Sequence, residues 1–355
     1  MNILIDIGHP AHVHLFKHFA REMNLKKHQV HFTVRDKEFE IALLEHEGLS
    51  YTNFGKHYKT TSGKIWGLLK FTWLVIRTSL RFKPHIYLSH GSVYTAIASR
   101  FLRKPNIALE DTGNWEQVRL YKPFTDAILT STSFHMNYGE KQTNYKGYHE
   151  LAYLHPKYFT PDKSVLKELG VKKDEKYFIL RFVSWIASHD VGQKGLSFEE
   201  KTRLIDLLRI HGKVFISSEG QLDAELEPFR FILPPEKMHD ALAFADLFIG
   251  EGATMASECA ILGTPAVYVN SMEAGTIDDQ EKYGLVYHFR SGNGVLEKVK
   301  ELVNDKHLKS KTLKRRKLLL NDKIDVTGLL VWFVENYPDS FRIMKNDPDY
   351  QSRFK

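Results

Sequence analysis

The stretch FIGEGATMASE occupies residues 248–258, and Gly263-Thr264-Pro265 follows it. The apolar run that ends at Gly250 predicts a buried strand, and a helix is predicted to begin near Ala253. Two glycines in the connection permit a tight turn and close approach of the backbone to a ligand. The first amides of the helix lack intrahelical partners and lie at the positive end of its dipole, which favours a phosphate or diphosphate.

Two polar side chains extend this pattern into the predicted helix. Thr254 would add a hydroxyl donor for a phosphate, and Glu258 lies roughly one helical turn further along. A carboxylate there could accept hydrogen bonds from ribose hydroxyls. The alternative is an ordinary strand–turn–helix unit with a surface glutamate, and the spacing alone leaves both interpretations open.

Short apolar runs alternate with amphipathic segments on both sides of this stretch. Strands that alternate with helices predict right-handed βαβ units and therefore an α/β fold with doubly wound parallel sheets. The alternation fails over residues 138–162 and then restarts, which predicts two Rossmann-like domains over residues 1–160 and 161–325. A final helix and tail, residues 326–355, either pack loosely or return to the first domain. Because ligands bind beyond the carboxyl ends of parallel strands, two such domains would share a cleft.

Composition limits the function classes. The chain has 355 residues, a formal net charge of +7 and 43% hydrophobic residues, enough for two buried cores. Cys259 is the single cysteine, so an internal disulfide is excluded and a cysteine-based zinc site is not expected. We expect a cytoplasmic protein without signal peptide or transmembrane helix. No nucleic-acid partner is expected, because the basic run over residues 306–317 lacks a reader motif.

Residues 65–81 have apolar side chains at helical spacing, with basic residues between them; the apolar face consists of Trp66, Leu69, Trp73 and Ile76. One interpretation is a core helix whose aromatic face packs inward. The other is an interfacial helix whose basic residues meet anionic lipid at the inner face of the membrane. Peripheral membrane contact therefore remains an alternative.

The stretch around Gly252 resembles the nucleotide-sugar motif of GT-B glycosyltransferases. It is most similar to the motif of the peptidoglycan-precursor N-acetylglucosaminyltransferase and of the non-hydrolysing UDP-N-acetylglucosamine 2-epimerases. In the family pattern a glycine-rich turn holds the donor diphosphate, and a glutamate six residues after its last glycine binds the ribose, as Gly252 and Glu258 are spaced. The resemblance implies donor contacts from these two residues, Ala253 and Thr254. Met238 begins a segment similar to the family's short helix, whose leading loop contacts the uracil.

The opening stretch IDIGHPAHVHLF, residues 5–16, closely resembles the start of a family of GT-B-like proteins known as a domain of unknown function. That likeness extends over most of the chain. In GT-B transferases the first loop of the N-terminal domain lies on the acceptor side. His12 and His14 are candidates for a general base or for a hydrogen-bond donor to a substrate phosphate, since a neutral imidazole suits both roles. The alternative is that they cap or pack the helix.

Metal binding by these histidines is not expected. His14 and His18 are four residues apart, with His9 and His12 nearby, but no glutamate or thiolate completes a zinc motif. GT-B enzymes typically need no active-site metal. The resemblance therefore implies neither metal nor cofactor, with the UDP-sugar as co-substrate.

Glu110 and Asp111 follow a predicted strand of the first domain. In this architecture they point into the cleft, where one of them could hold or deprotonate a substrate hydroxyl. The alternative is a helix cap.

Further candidates follow strands of the second domain. Arg181 could contact phosphate oxygens in bidentate fashion and Ser184 could donate once, because the matching GT-B loop flanks the donor phosphates. Ser217 ends the next strand and could line the same pocket. His189 is a loose match to a catalytic histidine of the epimerases. In sugar transferases a polar side chain on a later loop contacts the sugar, for which the candidates here are Asp279 and Gln280.

The expected function is transfer of a sugar from a UDP-sugar to a saccharide or lipid-linked acceptor, inverting and metal-independent, in the service of a cell-envelope polysaccharide. One alternative is an epimerase of the UDP-N-acetylglucosamine 2-epimerase type, with His189, Glu110 and Asp111 as acid/base groups. The other is a nucleotide- or glycan-binding protein without catalysis, since fold alone does not settle activity.

Overall fold

Two units divide the chain, each built on a parallel sheet. The computed structural model describes residues 1–58, 60–182, 195–218 and 220–355. Its contacts assign Met1–Tyr153 and Ile324–Lys355 to the first unit and Leu154–Lys323 to the second. The boundaries expected from the sequence lie at residues 160 and 325.

The strands of the described residues alternate with helices in both units. The strands are β1 (Asn2–Ile7), β2 (Gln29–Asp36), β3 (Tyr51–Lys56), β4 (Ile86–His90), β5 (Asn106–Glu110), β6 (Ala127–Ser131), β7 (Gln142–Tyr145), β8 (Tyr177–Phe182), β9 (Lys213–Ser218), β10 (Leu247–Gly250), β11 (Ala266–Val269) and β12 (Val286–Phe289). The helices are α1 (Pro10–Leu25), α2 (Glu40–His46), α3 (Thr61–Phe82), α4 (Val93–Leu102), α5 (Trp115–Tyr121), α6 (Leu151–Leu154), α7 (Val165–Glu168), α8 (Phe198–Leu208), α9 (Met238–Phe244), α10 (Ala253–Leu262), α11 (Gly275–Lys282), α12 (Val295–Asn304), α13 (Leu308–Asp322), α14 (Val326–Glu335) and α15 (Asp339–Asn346).

The first sheet has the strand order β3-β2-β1-β4-β5-β6-β7, and the second has the order β12-β11-β10-β8-β9. In the first sheet the chain runs outward from β1 to β3 and then returns to place β4 on the other side of β1. The second sheet repeats this reversal between β8 and β10. A reversal of strand order opens a crevice at the carboxyl ends of the two central strands, where ligands bind in parallel α/β sheets.

The central strands are apolar on both faces, as expected for parallel strands covered by helices. Ile3, Leu4 and Ile5 of β1 are completely buried. The edge strand β7 is different, because its four residues, QTNY, are mostly polar and give no apolar run for sequence reasoning to detect. It is held in part by Gln142, whose Nε2 donates to Thr130 Oγ1 over 2.8 Å.

The last residues of the chain pack into the first unit. Helix α14 contacts α1, and its Thr327 Oγ1 donates to the carbonyl oxygen of Ala152 over 2.8 Å. The backbone N–H of Ile324 also donates to the carbonyl oxygen of Lys146 over 3.0 Å. The first unit is therefore discontinuous in sequence.

Helix α3 turns its most aromatic face outward. Phe71 and Val75 are buried against the first sheet, whereas Trp66, Leu69 and Trp73 are exposed by 58%, 64% and 56%. Of the two interpretations left open by the sequence, inward packing of the 66-69-73 face does not occur within this unit. Among the described residues, no helix combines the length and apolar character needed to cross a membrane.

His18 lies on the buried side of α1 and is 8% exposed. Burial, together with the charges of Lys17 and Arg21, lowers the pKa of His18 to about 4. This pKa is below the value near 6.5 in the unfolded chain, so the unfolded state binds a proton more strongly than the folded state does. The folded state is therefore favoured above pH 6.5, where His18 is neutral in both states. That contribution is lost as the pH falls from 6.5 towards 4.

We predict that the first unit loses stability through this window by up to about 3 kcal/mol, at about 1.4 kcal/mol per pH unit. His18→Gln should lose less on acidification than the wild type. Hydrogen exchange of the α1 amides between pH 7 and pH 4, corrected for intrinsic rates, measures the change. His46→Gln, at an exposed position of α2, is the control and should behave as wild type. Equal acid sensitivity of wild type and His18→Gln would contradict the assignment.

Candidate functional site

The crevice of the first unit lies between the ends of β1 and β4. His9 caps α1, because its Nδ1 accepts the Ala11 N–H over 3.2 Å, and Pro10 occupies the first helical position. The helix therefore begins directly after the turn at Gly8. His12 faces back to this turn, and its Nδ1 accepts the Gly8 N–H over 3.2 Å. When the imidazole is neutral, its proton is then on Nε2, which makes that atom a hydrogen-bond donor.

A buried ion pair supports this crevice from below. Asp6 accepts from Arg35 Nη1 over 2.9 Å and from Arg35 Nη2 over 3.1 Å. It also accepts from Thr33 Oγ1 over 2.7 Å and from Ser92 Oγ over 2.6 Å. Ser92 is the N-cap of α4. One carboxylate thus joins β1, β2 and the start of α4.

Four polar side chains meet above this ion pair. The rings of His12 and His90 stack with their centroids 4.5 Å apart. His90 Nε2 lies 2.8 Å from one oxygen of Asp111, and His149 Nδ1 lies 2.8 Å from the other. We call these residues the imidazole–carboxylate cluster.

The electrostatics of the cluster are dominated by Asp111. Burial alone would lower the pKa of His90, but the charge and hydrogen bond of Asp111 raise it to about 9. Burial opposes ionisation of Asp111, yet His149 and His90 outweigh it and hold the pKa of this carboxyl well below its usual range. Burial and then the charges of His90 and His9 lower the pKa of His12 well below its usual range. The cluster therefore holds an anionic carboxylate against a protonated His90, which stacks on a neutral His12.

Glu110 is held differently from its neighbour. It is 2% exposed. Its Oε1 accepts from Thr112 N, Thr112 Oγ1 and Gly113 N over 2.7 to 3.1 Å, and its Oε2 accepts from Tyr121 Oη over 2.7 Å. Gly91 has φ +58° and passes close by, since a Cβ there would lie 2.8 Å from the Tyr121 ring. These contacts give Glu110 a structural role, and its predicted catalytic role stays a prediction.

The structure brings together some of the residues singled out in the first unit. His12 and Asp111 belong to the cluster, whereas His14 is buried on α1 with its ring 5.5 Å from that of Tyr153. Sequence reasoning missed His90 and His149. His90 is the last residue of β4, so the strand-end rule applied to that strand could have found it. His149 follows the polar strand β7 and carries no sequence signal of its own.

The crevice of the second unit lies between the ends of β8 and β10. A Cβ at Gly250 would lie 2.5 Å from the Phe248 ring and 3.1 Å from Arg181 Cβ, so this close approach requires glycine. Arg181 Nη1 donates to Ser217 Oγ over 2.8 Å, which brings together two residues predicted to line the donor pocket. Ser184 and His189, two further predicted residues, lie outside the described residues.

Helix α10 begins at this crevice. Its N-cap is Gly252, which has no side chain to bond the first amides. Thr254 is exposed in the first turn. Glu258 lies deeper, 5% exposed, with Oε1 3.0 Å from His239 Nε2. The strand end and the helix start lie where the sequence predicts them, and the ligand contacts of Gly252, Thr254 and Glu258 stay predictions.

The remaining predicted residues of the second unit lie at helices. Met238 is the half-buried first residue of α9. Gln280 is completely buried in α11, and its Nε2 donates to Ser257 Oγ over 2.8 Å. Asp279 pairs with Lys323 over 2.6 Å. Both side chains hold α11 to neighbouring elements, and their predicted contacts with sugar stay predictions.

The family of the chain is established by comparison with known proteins. Residues 1–338 match the family described as "Protein of unknown function (DUF354)". The chain belongs to this family. It is also similar to the uncharacterized protein MJ0665 of Methanocaldococcus jannaschii, with 25% identity over 290 residues that cover 78% of this chain and 84% of the relative.

Solved structures with the same fold include complexes with UDP, with UDP-GlcNAc and with spinosyn aglycone. S. aureus MnaA in complex with UDP has a TM-score of 0.69 at 12% identity, over 96% of this chain and 97% of MnaA. The UDP-GlcNAc 2-epimerase of Neisseria meningitidis bound to UDP-GlcNAc has a TM-score of 0.61 at 12% identity, over 91% and 99% of the two chains. The spinosyn rhamnosyltransferase SpnG with spinosyn aglycone has a TM-score of 0.61 at 11% identity, over 95% and 100%. The GT-B fold and the family resemblance expected from the sequence are confirmed.

We predict that breaking the ion pair below the first crevice destabilises the first unit. Asp6→Ala leaves Arg35 buried without its counter-ion and should lower the free energy of unfolding by about 3–5 kcal/mol. Hydrogen exchange of β1 and β2 amides measures this loss. Asp36→Ala, on the exposed end of β2, is the control and should change stability by less than about 0.5 kcal/mol.

A paired replacement separates the ion pair from simple loss of volume. Asp6→Ala combined with Arg35→Met removes both charges and should recover part of the stability lost by Asp6→Ala alone. Additive destabilisation by the two replacements would contradict the coupling.

Proposed function

We propose that this protein is a glycosyltransferase that moves a sugar from a UDP-sugar to a saccharide or lipid-linked acceptor, with inversion and without a metal at the diphosphate. The observation that carries the proposal is the β10–α10 turn of the second unit. There a close-packed glycine, a helix start without a side-chain cap and a buried glutamate coincide at a reversal of strand order. The nucleotide-bound neighbours share this fold, which supports the proposal.

The second unit would bind the donor. The diphosphate would accept hydrogen bonds from the first amides of α10 and from Thr254, with Arg181 as a cationic partner. Glu258 would accept from the ribose hydroxyls, and its contact with His239 fixes the orientation of the carboxylate. As the sugar leaves, negative charge develops on the diphosphate, and donors that are already in place stabilise it without reorganising.

The first unit would act on the acceptor. An acceptor hydroxyl must lose a proton as its oxygen attacks the sugar, and the carboxylate of Asp111, the anionic member of the imidazole–carboxylate cluster, would accept that proton. His12 presents an Nε2–H donor that would orient the acceptor oxygen, because its Nδ1 is engaged by the Gly8 N–H. Glu110, saturated by hydrogen bonds from its own loop and from Tyr121, is less suited to this task.

We predict that the protein binds UDP and UDP-N-acetylglucosamine and discriminates against ADP. Glu258→Ala should weaken UDP binding by about 10- to 100-fold, since a hydrogen bond to a charged group contributes about 1.5–3 kcal/mol. Isothermal titration calorimetry measures both affinities. Glu297→Ala, an exposed glutamate on α12 of the same unit, is the matched control and should bind as wild type. The donor site is refuted if no nucleotide binds, or if Glu258→Ala binds UDP as wild type does.

An epimerase is the second candidate, favoured by the likeness to the UDP-GlcNAc 2-epimerase of Neisseria meningitidis, with a TM-score of 0.61. The cluster could remove and return a proton on the sugar ring without any acceptor. Incubation with UDP-N-acetylglucosamine in D2O distinguishes the two functions. A transferase leaves the sugar unchanged without acceptor, whereas an epimerase interconverts it and incorporates deuterium, which proton NMR detects.

We further propose that α3 rests on an anionic lipid surface. Its exposed face carries Trp66, Leu69 and Trp73, and Arg77 lies over the Trp73 ring with its guanidinium carbon 5.5 Å from the ring centroid. Arg81 is exposed one turn further along. An aromatic stripe flanked by cations matches the apolar boundary and negative headgroups of an anionic bilayer.

Cosedimentation with vesicles of phosphatidylglycerol and phosphatidylcholine tests this surface. We predict that Trp66→Ser with Trp73→Ser weakens binding at least about 10-fold and that high salt weakens wild-type binding. Ile232→Ser removes an apolar side chain that is 93% exposed in the second unit and should have no effect. Equal vesicle binding by the double variant and the wild type would contradict the proposal. So would the finding that the wild type is a dimer and the double variant a monomer, because the face would then be a dimer interface.

A further inference from the structure

His90, Asp111 and His149 form a compact set of nitrogen and oxygen donors in the first unit. Their candidate ligand atoms all lie within 4.8 Å of one another. His90 ends β4, Asp111 follows β5, and His149 precedes α6, so separate elements deliver the three side chains to one place. We propose that this set binds a divalent transition-metal ion of the zinc class.

The donor chemistry favours such an ion. Two imidazole nitrogens and one carboxylate oxygen are ligands that zinc and similar ions accept, and three protein ligands leave a position for water or a substrate oxygen. At present the same atoms are joined by hydrogen bonds, with Asp111 2.8 Å from a nitrogen of each ring. An incoming ion would displace any protons on His90 Nε2 and His149 Nδ1 into solvent and would leave Asp111 as the anionic ligand.

The surroundings of the two rings permit the small movement that coordination needs. His149 is held through Nδ1, and among the described residues its buried Nε2 has no hydrogen-bond partner. The buried Tyr145 Oη, on a ring stacked 6.4 Å from that of His149, also has none in the described part of the chain. The His149 ring can therefore turn towards an ion without breaking a second hydrogen bond. His90 is steadied by the stacked ring of His12.

This site differs from the one considered and set aside in the sequence. The earlier site would have used histidines at the start of α1. Two of them, His14 and His18, are buried on that helix. The proposed ligands come instead from the ends of strands. The site belongs to the first unit, whereas the proposed diphosphate site belongs to the second, so metal binding is tested independently of nucleotide binding. The site shares Asp111 with the acid–base cluster of the proposed sugar transfer.

Metal titration of the whole chain tests the proposal. Protein stripped with a chelator is titrated with Zn²⁺ by calorimetry and with Co²⁺ by visible absorption. We expect one ion per chain, and we expect Asp111→Asn and His149→Ala each to weaken binding by at least about 100-fold, because loss of an outer-shell partner already costs 10–100-fold. His46→Ala removes an exposed histidine of the same unit and should bind as wild type. Circular dichroism of each variant checks that it is folded.

X-ray absorption of the zinc-loaded wild type keeps the test independent of how the variants fold. Two imidazole nitrogens together with oxygen ligands, at about 2.0–2.2 Å, would support the site. Absence of stoichiometric binding by the wild type would overturn the proposal. So would a shell without two imidazoles, or undiminished binding by folded Asp111→Asn and His149→Ala.

Discussion

The buried pair between Asp6 and Arg35 is the interaction on which the first crevice depends. Its carboxylate accepts four hydrogen bonds: one from Thr33 and two from Arg35, both on β2, and one from Ser92, the N-cap of α4. A carboxylate so far from water is tolerable only while those donors remain. Arg35 also donates to the carbonyl oxygen of Ile7, the last residue of β1. The ion pair therefore holds the turn at Gly8 in place, and with it the start of α1, which carries His12.

Both units use the same reversal of strand order but place different chemistry at it. In the second unit the crevice is lined by glycine backbone, by the start of α10 and by Arg181, which suits an anion. In the first unit the crevice gathers imidazoles and a carboxylate, which suits proton or metal chemistry. The proposed division of labour, with the donor on one unit and the acid–base groups on the other, follows from these side chains rather than from the fold.

Elements whose formation depends on neighbouring residues in the sequence could be predicted. Elements and contacts that depend on residues distant in the sequence could not. Continuous apolar runs disclose β1 and β4, and glycines disclose the turn before α10. The polar edge strand β7 has no such run, because Gln142, Thr143 and Asn144 are polar and the strand is recognisable only from its pairing with β6. Gln280 lies in a polar segment that predicts a loop facing a sugar, but the structure places it on the buried face of α11. Composition alone does not show which face of a short helix is buried. His149 becomes a partner of Asp111 only through tertiary contact.

Helix α14, near the end of the chain, contacts two segments that carry residues of the imidazole–carboxylate cluster. It packs against α1, the helix that carries His12. Its Thr327 bonds Ala152, three residues after His149, and a Cβ at Gly147 would lie 2.6 Å from the Val326 side chain. A bulkier residue at Gly147 would therefore push α14 away from the segment that positions His149. The geometry of the cluster thus depends on a helix that contributes no residue to it, which is why the strand ends alone do not define this site.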